Sequence, residues 1–433
     1  MWFLRGLYLL NSLSSATWGR YGTLYYLDKG LSKAEIGLIE GLMPMVGVFA
    51  QSAWAVVADA RHARKGVYLL TSSLGTCVLL LLGVEAVVGR SFARILCVSL
   101  GSKAFACGGI LDAYAFEVVG SQAPKLYGRL RLWGSLGWGC GGLAMGAIND
   151  AYGFGPNFLI YGACNALRIA LVGACVKPAA AEDTKKPIRA DLIAVLRSPA
   201  LLAFLGEILI FGTAVGVVER LIFVYVVDNL DGDSLLCGLV VFVSSTCNIP
   251  VFHNAGVLLE KFGPENLLLL AQFCYFTRVV GYTLLTPETK YFILGLETLH
   301  GCTFAMLWIA AVERARHLAP DGWAATLQSL LQTVYYSFGP GLGALLGGYL
   351  WHLKNARFMY RSFALAVFLH FAIRAAAAAA PITYCRNTLL QRQRRRRCPP
   401  SQQDDDDDDD DDERLYVALT DDETPDDDLD TTT

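Results

Sequence analysis

The chain has 433 residues, 54% of them hydrophobic, with a mean hydropathy of +0.41 and a formal charge of −3. That apolar excess excludes an ordinary water-soluble enzyme. The charge is split: 17 of the 39 acids lie in the last 30 residues with one base, Arg414, so this tail carries −16 while residues 1–403 carry 35 bases against 22 acids, or +13.

A hydrocarbon core about 30 Å thick takes roughly 20 apolar residues per helical crossing. Read in chain order, residues 1–380 supply such stretches at about 3–27, 34–57, 66–87, 92–119, 130–149, 154–176, 200–227, 235–259, 266–286, 290–313, 324–351 and 358–380. The expectation is an all-α polytopic membrane protein of 12 helices. No cleavable leader pattern precedes the first stretch, which reads as its own insertion signal. The 12 cysteines show no paired metal or disulfide spacing.

Short loops orient such a chain through their Lys and Arg content. With the N-terminus in the cytosol, the cytosolic connections hold 20 bases, among them Arg61, Arg64, Lys65, Lys125, Arg129, Arg131, Lys261, Arg314 and the arginines at 394–397, against 8 on the opposite face. Both termini are therefore expected in the cytosol of a multi-pass protein; nothing chooses between plasma membrane and endomembrane.

The longest polar connection, residues 177–199, divides the segments six and six. The pattern Ala55-x3-Asp59 after segment two matches Gly256-x3-Glu260 after segment eight, offset by 201 residues. Gly146-x3-Asp150 after segment five matches Gly348-x3-His352 after segment eleven, offset by 202. One offset for two pairs implies duplicated halves: 1–176, a linker at 177–199, 200–385, and a disordered basic-then-acidic tail at 386–433. Segments five and eleven are rich in glycine, which lets helix backbones approach closely in lipid.

The run from Asp59 to Arg64 and Lys65 resembles the gating loop of the major facilitator superfamily, and Glu260 with Lys261 stands at the repeat-related position. Leu111-Asp112-Ala113-Tyr114-Ala115 and Tyr127-Gly128-Arg129-Leu130-Arg131-Leu132-Trp133-Gly134-Ser135-Leu136-Gly137-Trp138-Gly139 are similar to segments four and five of its lactose-permease-like branch. The stretches His300-Gly301-Cys302-Thr303, Ala319-Pro320-Asp321-Gly322 and 335–348 resemble the eukaryotic "major facilitator superfamily associated" (domain-6-like) group. The resemblance spans about residues 1–375 and implies a facilitator fold with substrate contact at Arg131 and Trp138 and a carboxylate, Asp112, opposite.

Charged side chains inside a bilayer cost at least about 2.5–3.5 kcal/mol on insertion scales and should face a cavity or a partner. Arg131, Ser135 and Trp138 share a helical face, where guanidinium and indole can hold a polar ring; Arg131 serving only topology is the other reading. Glu297 and His300 are three apart on segment ten and face one way. A carboxylate beside an imidazole suits proton exchange, with Glu219 and Arg278 as partners; a static buried ion pair is the alternative. Pro250 and Pro340 are hinge candidates or fixed kinks.

These features point to a secondary transporter of a small polar organic solute, sugar-, nucleoside- or organic-acid-like, working by alternating access and coupled to protons by symport. The alternative is a non-transporting receptor or scaffold acting through the acidic tail. An enzyme reading lacks a paired nucleophile and base, metal ligands or a cofactor motif. Expected partners are the lipid bilayer, the solute and protons. The basic excess fits topology and inner-leaflet contact, so nucleic acid is not expected, and Tyr416-Val417-Ala418-Leu419 resembles a sorting signal for an adaptor protein.

Overall fold

Why the helices break where they do sets the geometry of everything else. The structure is a computed structural model describing residues 2–61, 63–106, 123–176, 198–319 and 323–397, with side chains undescribed at 59, 123–131, 324, 325 and 378–397. The expected first span is divided in two, α1 (Trp2–Trp18) and α2 (Tyr21–Asp28). At the joint, a Cβ on Gly19 would lie 2.6 Å from the Trp138 ring, so only glycine lets that indole sit over the break. Next come α3 (Lys33–Ala60), α4 (Arg64–Leu80), the single turn α5 (Glu85–Val88) and α6 (Phe92–Lys103). Then follow α7 (Ala123–Tyr152), α8 (Gly155–Cys175) and α9 (Pro199–Leu230). Helix α9 ends on Asp231 in the left-handed conformation (φ 49°), and Asp233 accepts the Leu236 N–H at 2.8 Å to cap α10 (Ser234–His253).

Segments eight and nine meet earlier in the chain than expected. The break falls at Asn254, and α11 (Ala255–Leu284) begins at once, bending at Gly263 (φ 68°) before Pro264. Glu260 and Lys261 thus belong to a helical turn rather than to a loop. Segment ten is α12 (Phe292–Glu297), a π-helical turn (Gly301–Met306) and α13 (Leu307–Leu318). Segment eleven repeats that design as α14 (Ala324–Thr333), a π-helical turn (Val334–Phe338) and α15 (Gly339–Leu353). The last helix, α16 (Ala356–Arg397), corrects one boundary: residues 386–397, expected to open the disordered tail, are helical. Alanine, leucine, glutamine and arginine are all good helix formers, which continues the helix past the apolar stretch. Eight helices among the described residues are long and apolar enough to cross a membrane by length and composition.

The chain divides into a helical body, residues 1–375, and residues 376–433. Within the body two packings join the first six segments to the second six: α3 on α15, and α7 on α10. Moving each partner six segments along exchanges segments two and eleven with eight and five, so the two packings are pseudo-symmetric mates. Both are closest at one end of the bundle, the far end, which carries the loops after Asp28, Val88, Tyr152, Leu230, Leu284 and Leu353. There a Cβ on Gly348 would stand 2.6 Å from the Lys33 carbonyl and 2.7 Å from the Gly37 Cα, and one on Gly146 would collide with the Ser234 carbonyl.

Polar contacts seal the same end. Lys33 pairs with Asp228 at 2.8 Å. Asp150 accepts the Ser234 and Leu235 N–H groups, each at 2.8 Å, which also suits the positive end of α10. The Tyr21 hydroxyl reaches the Gly142 carbonyl at 2.7 Å. At the opposite, near end the helices stand apart: residues 51–53 and 55–57 of α3 are exposed around the helix circumference, as are residues 249, 250, 252 and 253 of α10. A helix merely facing lipid would be exposed on one side only.

Candidate functional site

Helix α9 is buried through residues 214–218 and 221–226, yet Glu219 and Arg220 in between are 35% and 31% exposed. Two charged neighbours reached by solvent in the middle of a buried 32-residue helix mark a central opening between the helices. Each is tied to the first half of the chain. Arg20, at the α1–α2 break, meets the Glu219 carboxylate at 3.0 Å, and Arg220 meets Glu40 of α3 at 3.0 Å.

From Glu219 a row of polar groups runs into the interior. His300 Nε2 lies 3.8 Å from Glu219 Oε1. Its Nδ1 faces Arg278 Nη1 at 3.1 Å. Arg278 Nη2 donates to Glu297 Oε2 at 2.7 Å and Arg278 Nε to the Tyr282 hydroxyl at 2.6 Å, while that hydroxyl donates to the other Glu297 oxygen. Thr303 accepts from Arg278 Nη1 at 3.1 Å. Glu297 is 0% exposed and Arg278 1%, so these charges hold only because each has a partner. A guanidinium can only donate; the imidazole Nδ1 must therefore accept, which places the ring proton on Nε2, toward Glu219. The π-turn begins directly after His300, and α10 crosses so closely there that a Cβ on Gly301 would collide with the Cys247 carbonyl.

A profile of the MFS_1 like family matches residues 1–362. The chain belongs to this family of the major facilitator superfamily. It is similar to the maltose permease of Geobacillus stearothermophilus, with 31% identity over 337 residues, 74% of this chain and 79% of the permease. It is also similar to the uncharacterized transporter YwbF of Bacillus subtilis, with 25% identity over 366 residues and 84% and 89% of the two chains. Among solved structures, a point mutant of the nucleoside transporter NupG superposes with a TM-score of 0.74 at 15% identity, covering 86% of this chain and 99% of that one. A bacterial homolog to the human lysosomal transporter Spinster, inward-facing and occupied, gives 0.65 at 14% identity, covering 87% and 94%. The protein is thus a multi-pass membrane transporter with the twelve-helix facilitator fold.

Within this facilitator, the four residues assigned to proton coupling, Glu219, Arg278, Glu297 and His300, form one connected group. The set assigned to substrate is placed in part. Trp138 lies beside Gly19, adjacent to Arg20, and Ser135 is one turn away on α7. Arg131 belongs to α7 but its side chain is undescribed, and Asp112 lies outside the described residues. Of the gating set, Lys65 Nζ donates to the Gly173 carbonyl at 2.6 Å, joining α4 to the end of α8. Arg64 is exposed on the first turn of α4, and the Asp59 side chain is undescribed. Glu260 is exposed, as is Lys261, whose Nζ sits 5.5 Å over the Phe262 ring.

Sequence reasoning left three parts of this site unassigned. Arg20 bridges to Glu219 because the helix breaks before it, and the signal was Gly19-Arg20 within an apolar span. Tyr282 follows Arg278 by four residues, one helical turn, and so reaches the same carboxylate. The Glu40–Arg220 pair joins residues 180 apart in the chain, which no local spacing shows. A separate network lies toward the near end. Buried Glu207 receives Arg314 at 2.8 Å, Arg374 at 2.6 Å and the Gln272 amide at 2.9 Å, and Glu265 completes it with both arginines.

Proposed function

We propose that this facilitator moves a small polar organic solute, sugar- or nucleoside-like, together with a proton, by alternating access, with both termini in the cytosol. The observation that carries the proposal is the row Arg20–Glu219–His300–Arg278–Glu297, in which every link is a hydrogen-bond or ion-pair contact of about 3 Å except the 3.8 Å approach of His300 to Glu219. It begins at an opening between the halves, ends on a fully buried carboxylate, and includes an inter-half ion pair as its first link. The maltose permease and the nucleoside transporter supply the solute class.

A proton arriving from the opening meets Glu219 first, because only that carboxylate of the row is substantially exposed. Neutralising Glu219 releases Arg20 and with it one tie between halves. His300 stands between the two acids with Nε2–H facing Glu219. Once Arg278 turns fully onto Glu297, a flip of the ring presents the Nδ1 lone pair to protonated Glu219 to accept its proton and carries the Nε2 proton to the inner side for release. Solute bound at the opening, against Trp138 and the matched Arg131, occupies the space that Arg20 and Glu219 otherwise span. The far end sealed by Lys33–Asp228 and Asp150, with the near end splayed, is one of the two states such a cycle requires.

The test is uptake into proteoliposomes of sugars, nucleosides and organic acids under an imposed pH gradient. The proposal expects accumulation that stops when the gradient is collapsed. Uptake indifferent to the gradient ends the symport reading, and a Glu297→Gln or His300→Ala variant with intact coupling ends the relay.

A further inference from the structure

Two charged rungs join α3 to α9. Lys33 meets Asp228 at the far end, and Glu40 meets Arg220 at 3.0 Å, about 10 Å further along α3. When α3 and α9 part, Lys33, Asp228 and Arg220 are all within reach of solvent. Glu40 is buried, and a carboxylate stranded there without a cation is strongly unfavourable. Its position makes parting unavoidable. Glu40 lies between Gly37 and Gly41, where a Cβ would stand 2.5 Å from the Ala344 carbonyl and 2.8 Å from the Gly341 carbonyl of α15. That seam belongs to the far-end seal. The other inter-half tie, Arg20–Glu219, has an exposed carboxylate that a proton can release; Glu40 has no such access.

A second cation stands near Glu40 within its own half. Glu40, Met43 and Gly47 recur at three and four residues and share a face of α3, and Ser99, Lys103 and Ala106 do the same along α6 and the turn after it. The two faces meet. The Tyr26 hydroxyl touches Met43 Sδ at 3.8 Å and Ser99 Oγ at 3.1 Å, and a Cβ on Gly47 would lie 4.0 Å from that of Ala106. Lys103 is placed between these two contacts, and its charge acts on Glu40 and on Arg220. Among the described residues it forms no direct ion pair. Glu40 therefore has one cation in each half, and bonds the one across the seam.

We propose that Lys103 receives the Glu40 carboxylate when the far end opens, so that Glu40 passes from Arg220 of the second half to Lys103 of its own half and is never left without a cation. This rests on the alternating-access reading above. Lys103 is then a positioning residue: it sets the balance between the two states without touching solute. Lysine suits the role, being a compact charge on a flexible four-carbon stem. Arg220, once released, turns into the water of the opening, and this second tie breaks without taking up a proton.

The experiment reads opening of the far end without any solute. Ala344, fully buried in the α3–α15 seam, is replaced by cysteine in the full chain in lipid nanodiscs. Its labelling by a maleimide is timed in monodisperse samples, with the unsubstituted protein giving the background from native cysteines. The expected rate falls about tenfold when Lys103→Met is added and is kept in Lys103→Arg. In a Glu40→Gln background labelling is at least as fast as in Ala344→Cys alone, and Lys103→Met then changes nothing, because no carboxylate remains to hand over. A lysine that merely supports packing would slow both backgrounds alike. Lys103→Met labelled at the starting rate or faster, or slowed equally with and without Glu40, overturns the exchange and leaves alternating access standing. Protection that persists in every variant, Glu40→Gln included, overturns alternating access and the exchange with it.

Discussion

Replacing Glu297 by glutamine keeps the size of the side chain and removes its charge. Arg278 then keeps a full positive charge at 1% exposure, having lost the carboxylate that its Nη2 meets at 2.7 Å. With both partners almost fully buried there is no solvent to screen the loss, and breaking a buried pair costs about 3–5 kcal/mol. A paired variant, Arg278→Met with Glu297→Leu, removes the stranded charge. It leaves the Tyr282 hydroxyl and His300 Nδ1 short of partners, at about 1–3 kcal/mol for the unmet groups, so most but not all of the deficit should return. Unfolding of both variants in nanodiscs measures this, and gradient-driven uptake is read on the same samples. The expected pattern is low stability and no coupled uptake for Glu297→Gln, and recovered stability with coupled uptake still absent for the double variant. Coupled uptake restored by the double variant would show that the pair only holds the helices together. A Glu297→Gln protein as stable as the parent would refute the energetic reasoning itself.

Further expectations follow from the same geometry. Gly348→Leu drives a side chain into the Lys33 carbonyl and the Gly37 Cα, so the far end should not close; cysteine labelling at positions near Gly37 should rise from protected to reactive, and unchanged protection would contradict the seal. Glu207→Gln strips the carboxylate that Arg314 and Arg374 share; it should lower unfolding stability by roughly 1–3 kcal/mol while leaving the ratio of protons to solute intact, and an altered ratio would place this network in the coupling path. Gly19→Leu should displace the Trp138 ring and weaken solute binding at least tenfold, with far-ultraviolet dichroism confirming retained helix content; unchanged affinity would remove Trp138 from the site.

How much of this was legible depends on the range of each interaction. Glu297 and His300 were readable because three residues along a helix is a contact distance, and Arg278 and Glu219 followed as intramembrane charges requiring partners. The glycine-rich segments five and eleven announced close packing, and the structure shows which neighbours they meet, α1 and α10 for one and α3 and α9 for the other. Interactions between distant segments were out of reach: Glu40 with Arg220, or Arg20 with Glu219, depend on how the halves are apposed. The break at Gly19 depends on Trp138, more than a hundred residues away. The helix start at Ala255 went unread because residues 235–259 read as one continuous apolar span, which hid the break at Asn254. The two π-turns in segments ten and eleven have no sequence signature at all.

The central claim is that solute and proton cross together through the row that starts at Glu219. The most direct test adds solute to weakly buffered proteoliposomes with no imposed gradient and records external pH. The account predicts a solute-triggered alkalinisation that vanishes in Glu219→Gln and Glu297→Gln while solute exchange across the membrane persists. Solute entry with no accompanying pH change in the parent protein would contradict it.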